Sequence, residues 1–328
     1  MTALRLSLAM GDYDRTRPIA DGRVRIDGVE PVALLLSPEE MFFNAFRHRS
    51  YDISELSLSS YALSLTRPDP DYIALPVFLS RAFRHSSVYI RTDRGIAGPG
   101  DLAGRRIGIA EYQLSANVWV RAILNEAGVA PGAIRWLRGG MESPARPEKL
   151  ALAPPPGVTI EAAPEGATLN AMLAAGEIDG FIGPRAPRPF AEGHPQVARL
   201  WPDGRAAEDW FARHRIFPIM HVLGLRRSLA EAHPWLPVAL VKAFSQAKRQ
   251  AQAALVDTSA PKATMPFVEE ALARAAALSV DLWSYGLGPE NRAALDYFLD
   301  AHHAQGLSPR RVAVDELFHP AACEAFSL

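Results

Sequence analysis

The chain is nearly devoid of cysteine: 328 residues carry one, Cys323. A disulfide framework and a multi-cysteine zinc site both need more than one thiol, so both are excluded. A lone thiol this near the C-terminus reads as a structural residue. Neither sign of charge is in excess. Lys+Arg number 35 and Asp+Glu 36, a net charge of -1, and no basic stripe of the kind that nucleic-acid binders carry stands out. Long hydrophobic runs are missing as well. No stretch approaches the roughly 18 apolar residues of a membrane span. Arg5 interrupts the first apolar run and Gly11-Asp12 ends it, so the apolar core of a secretory signal is not formed. These absences predict a soluble, cytoplasmic protein with neither nucleic acid nor membrane as partner. Also missing are a Gly-Lys-Ser/Thr phosphate loop, a G-x-G-x-x-G turn and a G-x-S-x-G nucleophile elbow.

What is there is an ordinary globular mix, 48% apolar and 22% charged, with length for about two domains. Leu4, Leu6 and Leu8 alternate with Arg5 and Ser7, which predicts a strand with one buried face. Residues 23–26 read as a second strand and 32–36 as a third, with the turn Asp27-Gly28 between them, a hairpin pattern. Ser37-Pro38-Glu39-Glu40 starts a helix: a capping Ser, Pro at the first helical position, and Glu three residues after the cap. A strand at 53–56 completes strand, helix, strand, the mark of an α/β fold. Further strands are predicted at 87–91, 106–110, 179–183 and 217–225, and helices at 116–127, 168–175, 235–256, 268–278 and 289–302. Residues 139–157 carry five prolines and no period, a long loop that serves as decoration or as a lid.

This layout predicts two α/β lobes. One comprises residues 1–91 with 219–328, including the C-terminal helices. The other is an insertion, 92–218. Crossings at 89–91 and 219–223 would form a hinge, with the ligand in the cleft at the C-terminal ends of strands. Those ends carry Asp12-Tyr13, residues 55–60 with Ser57, residues 111–115, and Pro184-Arg185.

Arg81-Ala-Phe-Arg-His85 gathers two guanidiniums, an imidazole and the ring of Phe83 in five residues. Arginine grips carboxylates bidentately and histidine titrates near neutral pH; the alternative is a solvated basic loop. Glu111-Tyr-Gln-Leu-Ser115 lies before a helix whose free N–H groups attract anions. Gln113 and Ser115 add donors and Glu111 can exchange a proton; the alternative is a helix cap. His221 shares a strand face with Ile219 and Leu223, a core position unless the hinge turns it to the cleft. Glu55 stands in a mostly apolar strand, where burial would raise its pKa and suit an acid catalyst, unless it pairs with an arginine. Adjacent His302 and His303 diverge by about 100° on a helix and read as surface residues. His85, His221 and Glu55 have the composition of a two-His-one-carboxylate metal site. No cofactor is expected, a divalent metal at that trio being the alternative.

Tyr51-Asp-Ile-Ser-Glu-Leu-Ser-Leu-Ser-Ser-Tyr61, Pro76-Val-Phe-Leu-Ser-Arg-Ala-Phe-Arg-His85, Glu111-Tyr-Gln-Leu-Ser-Ala-Asn-Val-Trp-Val-Arg121 and Phe217-Pro-Ile-Met-His221 resemble segments of the 4,5-dihydroxyphthalate decarboxylases. His233-Pro-Trp235 and Trp283-Ser-Tyr-Gly286 fit too, so the resemblance spans nearly the whole chain. Ser115 stands where a Thr is expected in many members, which keeps the hydroxyl. The resemblance implies a type II periplasmic-binding-protein-like fold. It also implies removal of CO2 from an electron-rich aromatic acid, giving protocatechuate from 4,5-dihydroxyphthalate. Such chemistry needs cations for carboxylates, an acid at the reacting ring carbon and a base at the phenol. Arg81 or Arg84 with Arg185 would serve the carboxylates, and His85 or His221 would donate the proton. Glu55 or Glu111 would attend the phenol, with Gln113 and Ser115 orienting the ring and Tyr13, Ser57 and Phe83 beside it. A homo-oligomer fits the sequence, though no residue pattern specifies one. The rivals are a non-catalytic solute-binding protein, a regulator's effector-binding module, and a decarboxylase of the same family with another aromatic acid.

Overall fold

The computed structural model describes residues 3–278 and 281–325. In chain order its strands are β1 (Leu4–Met10), β2 (Val29–Leu35), β3 (Ile53–Ser57), β4 (Tyr72–Arg81), β5 (Val88–Arg91), β6 (Arg106–Ile109), β7 (Arg135–Arg138), β8 (Ile160–Ala162), β9 (Gly180–Ile182), β10 (Val197–Arg199) and β11 (Ile219–Arg226). They form two sheets. The first runs β2-β1-β3-β11-β4, the second β10-β5-β9-β6-β7-β8. In the first, β1 is parallel to β2 and β3 while β11 is antiparallel to both its neighbours. In the second, β9, β6, β7 and β8 are parallel, and β5 is antiparallel to β9 and β10. This is the two-lobe α/β arrangement.

Local chemistry accounts for the elements. Ser37 accepts the Glu40 N–H at 3.4 Å and Pro38 opens the helix Pro38–His48. Thr168 caps the helix Leu169–Ala175, and Gly176, at φ +76°, closes it. Pro31 lies in β2, an edge strand, where a missing N–H is tolerated. The other edge, β4, is nearly all buried. The C-terminal segment covers it: Phe318 bridges Ala74, and the His319 N–H donates to the Ala74 carbonyl at 2.9 Å.

Several expectations are corrected. There is no hairpin after β1. β2 is parallel to it, so the connection must cross over, and residues 23–26 contribute a single bridge, Ile26 to Val29. β5 belongs to the second sheet, not with residues 1–87, because Tyr89 packs on Phe181 and Phe190 of the smaller core. The chain therefore passes between sheets through residues 82–87 and 200–218, not at 89–91 and 219–223. The C-terminal helices are not confined to the first lobe. Tyr297, on the helix Pro289–Ala304, stacks on Trp119 of the helix Ser115–Glu126, with ring centroids 5.5 Å apart. His302 is buried, not on the surface; its ring contacts the Ser59 carbonyl and Ser308 Oγ, each at 3.2 Å, and burial pushes it down to about 3.

The helix Ser115–Glu126 lies at the junction of the lobes. Trp119 is fully buried and donates Nε1–H to the Ile219 carbonyl at 2.9 Å. Arg121 is buried against the Tyr112 ring and donates to Gln305 Oε1 at 2.7 Å. Burying large side chains such as Trp119 contributes about 2 kcal/mol or more each.

Candidate active site

One cavity of about 660 Å³ lies between the two sheets. Its first wall comes from β3, β11, the turn after β4 and the helix Pro38–His48. β3 delivers Glu55, which is wholly buried. Oε2 accepts the Gly11 N–H at 2.9 Å, Oε1 accepts the Tyr13 hydroxyl at 3.0 Å, and His221 Nδ1 lies 2.6 Å from Oε1. β11 brings His221 opposite Ser57 of β3, and Phe42 packs edge-on against its ring, centroids 4.7 Å apart.

These contacts reverse the expectation for Glu55. Burial alone would raise its carboxyl, but hydrogen bonding and charge from His221, then Gly11 and Tyr13, hold it below the usual carboxylate range. An ionised Glu55 is no acid catalyst. It accepts Nδ1–H and leaves Nε2 as the ring nitrogen offered to a ligand, the logic by which a buried carboxylate orients a working histidine. Burial, and after it the same carboxylate, pushes the Tyr13 hydroxyl up, so Tyr13 stays a neutral donor.

Arg84 opens the 3-10 turn Arg84–Ser87 and reaches the same cavity. Its Nε donates to Met220 Sδ at 3.1 Å. Burial pushes it down to about 10, still charged at neutral pH. Among the described residues no carboxylate pairs with it, so the guanidinium is free to take an anionic ligand.

The second wall comes from the segment after β6, the loop after β7 and the strand end at Pro184. Ser115 opens its helix there. Its Oγ lies 2.9 Å from Ser57 Oγ and accepts the Ser59 N–H at 3.0 Å, joining the walls. Glu111 lines the cavity and is ion-paired with Lys149. Arg185 stands at the rim, exposed and 3.7 Å from Glu39 across the cleft. Gly139 to Arg146 complete the wall, so part of the 139–157 loop is a surface of the cavity and not decoration.

Four anticipated residues lie elsewhere. Arg81 is buried and donates to the carbonyls of Phe217 (3.1 Å) and Ser284 (2.9 Å) and to Asn291. Phe83 packs against Phe211 and Phe217. His85 packs against Trp201 and Trp210, and burial pushes it down to about 4. Gln113 is fully buried, accepting from Ser60 at 3.2 Å and donating to Glu148 (3.1 Å) and the Leu150 carbonyl (2.7 Å). It orders the loop; it does not line the cavity. With His85 buried against Trp201 and Trp210, the trio His85, His221 and Glu55 is not assembled. Among the described residues no cluster of three or more His, Cys, Asp or Glu is placed to hold a metal ion, and no helix is long and apolar enough to cross a membrane.

Sequence reasoning missed Lys149, Phe42, Ser80 and Phe181, all lining the cavity. Lys149 had one signal: the chain has four lysines against 31 arginines, and this one sits in the loop already singled out. Phe42 and Phe181 look like ordinary core residues in the sequence.

The chain is 56% identical over 331 residues to a 4,5-dihydroxyphthalate decarboxylase of Comamonas testosteroni, covering 100% of both chains. It is 55% identical over 213 residues to one of Pseudomonas putida, covering 64% of this chain and 83% of that one. No family model matches the chain. Among solved structures, a putative periplasmic sulfonate-binding protein, SsuA of Methylobacillus flagellatus, superposes with a TM-score of 0.58 at 15% identity, covering 100% of this chain and 95% of that one. At that identity the likeness speaks for the fold alone, a type II periplasmic-binding-protein-like one. With full-length identity carrying the rest, the chain belongs to the 4,5-dihydroxyphthalate decarboxylase family.

Proposed function

We propose that this chain removes CO2 from 4,5-dihydroxyphthalate, giving protocatechuate, by protonating the ring carbon that bears the departing carboxylate. The observation that carries the reading is His221, held by the buried Glu55, facing the same cavity as Arg84, which pairs with no carboxylate among the described residues. The relatives' names supply the substrate.

The scheme uses side chains alone. Arg84 grips the retained carboxylate, with Arg185 at the rim. Gripping the departing one would stabilise the ground state, and only differential binding accelerates a reaction. Phe42 and Phe181 supply apolar faces for the ring. Each carboxylate of the substrate is para to a hydroxyl, so loss of that phenolic proton pushes electrons to the reacting carbon. His221 then gives its proton from Nε2 to this carbon. The C–C bond to the carboxylate breaks, its electron pair restores the aromatic ring, and CO2 leaves. The net reaction consumes one proton, which His221 regains from water, while Glu55 holds the imidazole in register.

The test is turnover of 4,5-dihydroxyphthalate followed by protocatechuate and CO2 release. His221→Gln lowers kcat by about 10²–10⁴-fold with folding intact, whereas His85→Phe stays near wild type. Dialysis against EDTA leaves turnover unchanged. Near-wild-type turnover by His221→Gln would sink the assignment, and tight binding without turnover in the native protein would favour a solute receptor.

A further inference from the structure

We infer that Lys149 is the cation that holds the substrate's phenolate oxygen, and that it thereby confines turnover to acids with a hydroxyl para to the departing carboxylate. The inference rests on the decarboxylase reading above and deepens it.

Lys149 lines the cavity from the second lobe, whereas His221, backed by the buried Glu55, lines it from a strand of the first sheet. Its side chain is 3% exposed and its partner Glu111 is 9% exposed. An ammonium has three N–H donors. Among the described residues, Glu111 is the one hydrogen-bond partner of Lys149, so donors remain for a ligand. The neighbouring ionisable group is already engaged: Glu148 pairs with Arg138 at 3.1 Å and accepts from Gln113. The Leu150 carbonyl is held by Gln113 as well. Both sequence neighbours of Lys149 are thus tied down, and the ammonium is positioned, not dangling.

The ring geometry calls for a group here. A para hydroxyl lies across the ring from the carbon that His221 protonates, so it belongs at the facing wall. The hydroxyl gives its proton to Glu111, and Lys149 neutralises the oxyanion that results. After CO2 leaves, the phenolate stays paired with Lys149 until the product departs, when Glu111 returns the proton to the oxygen, so the pair ends as it began. Residue type supports the division of labour. A guanidinium fork matches a carboxylate, and a compact ammonium matches one oxygen. The chain otherwise prefers arginine by 31 to 4, yet its buried cation at this wall, where Arg146 and Arg185 are exposed, is a lysine.

Two readouts test this on the full-length protein. The first is the ultraviolet difference spectrum of bound protocatechuate at neutral pH, which separates phenol from phenolate. Wild type is expected to bind it as the phenolate and Lys149→Met as the neutral phenol. The second is turnover of 4,5-dihydroxyphthalate. Lys149→Met is expected to lower kcat by about a hundredfold with little change in KM, because Arg84 still holds the carboxylate. Should Lys149→Met fail to fold, with Glu111 left buried and unpaired, the double variant Lys149→Met, Glu111→Gln buries no charge and is read against Glu111→Gln alone, so that loss of the base is common to both. A phenolate spectrum with near-wild-type turnover in whichever variant folds would overturn the role of Lys149 and leave the decarboxylase reading intact. Absence of turnover in wild type would instead remove that reading and this inference with it.

Discussion

At the scale of single residues, spacing along the chain says which groups are near one another but not which way they point. Arg81 ends β4 and turns inward to backbone carbonyls, Arg84 begins the next turn and meets the cavity, and His85 goes to a pair of tryptophans. One basic cluster thus splits into three environments, which no count of residue types could foretell. Glu55 and His221 are 166 residues apart, and only the pairing of β3 with β11 unites them. Two outcomes belong here. Glu55→Gln keeps the shape but not the charge that orients Nδ1–H; kcat is expected to fall by about 10⁴-fold with KM little altered, measured by steady-state kinetics. His85 concerns stability. Its folded value is depressed to about 4 from 6.5. As pH falls below 6.5 the unfolded chain takes a proton that the folded chain refuses, so stability drops between pH 6.5 and about 4. His302, depressed to about 3, acts in the same direction. Tm of His85→Phe followed against pH should therefore fall less steeply than wild type across that window.

At the scale of elements, strongly patterned segments were legible and short ones were not. The cap at Ser37, the glycine after residue 175 and the alternation from residue 217 mark real element ends. β8, β9 and β10 have three residues each, too few for a period to show; of these only β9 was anticipated. The loop 139–157 was visible as an interruption, yet its purpose was not, because a fully buried Gln113 from another segment gives it shape. That glutamine offers a clean perturbation. Gln113→Leu removes the donor to the Leu150 carbonyl, the acceptor of Ser60 Oγ and one partner of Glu148, which keeps Arg138, at a cost of about 1–3 kcal/mol for polar groups left unpaired. Limited proteolysis is expected to cut within residues 141–157 faster than in wild type, and KM to rise as that wall of the cavity loosens. An unchanged cleavage rate would mean that the loop holds its shape without Gln113.

At the scale of the whole molecule, the two-lobe plan followed from the order of strands and helices, whereas the junction did not. Separation of the lobes along the helix Ser115–Glu126 would break a set of buried contacts at once. Ser115 would lose Ser57 and the Ser59 N–H, Trp119 would lose the Ile219 carbonyl and the Tyr297 ring, and Gln305 would lose Arg121 and the Val118 carbonyl. Trp119 would also meet water, and uncovering so large a buried ring costs about 3–5 kcal/mol when judged by its truncation. Each hydrogen bond adds about 1 kcal/mol. Two crossings of the chain permit hinge bending in principle, but these contacts oppose it. Substrate is therefore expected to enter past the exposed Arg185–Glu39 pair at the rim, with the lobes staying together. Small-angle X-ray scattering of the protein with and without protocatechuate should give superimposable curves. A contraction on binding would mean that the helix swings with one lobe and that the cavity closes only around its ligand.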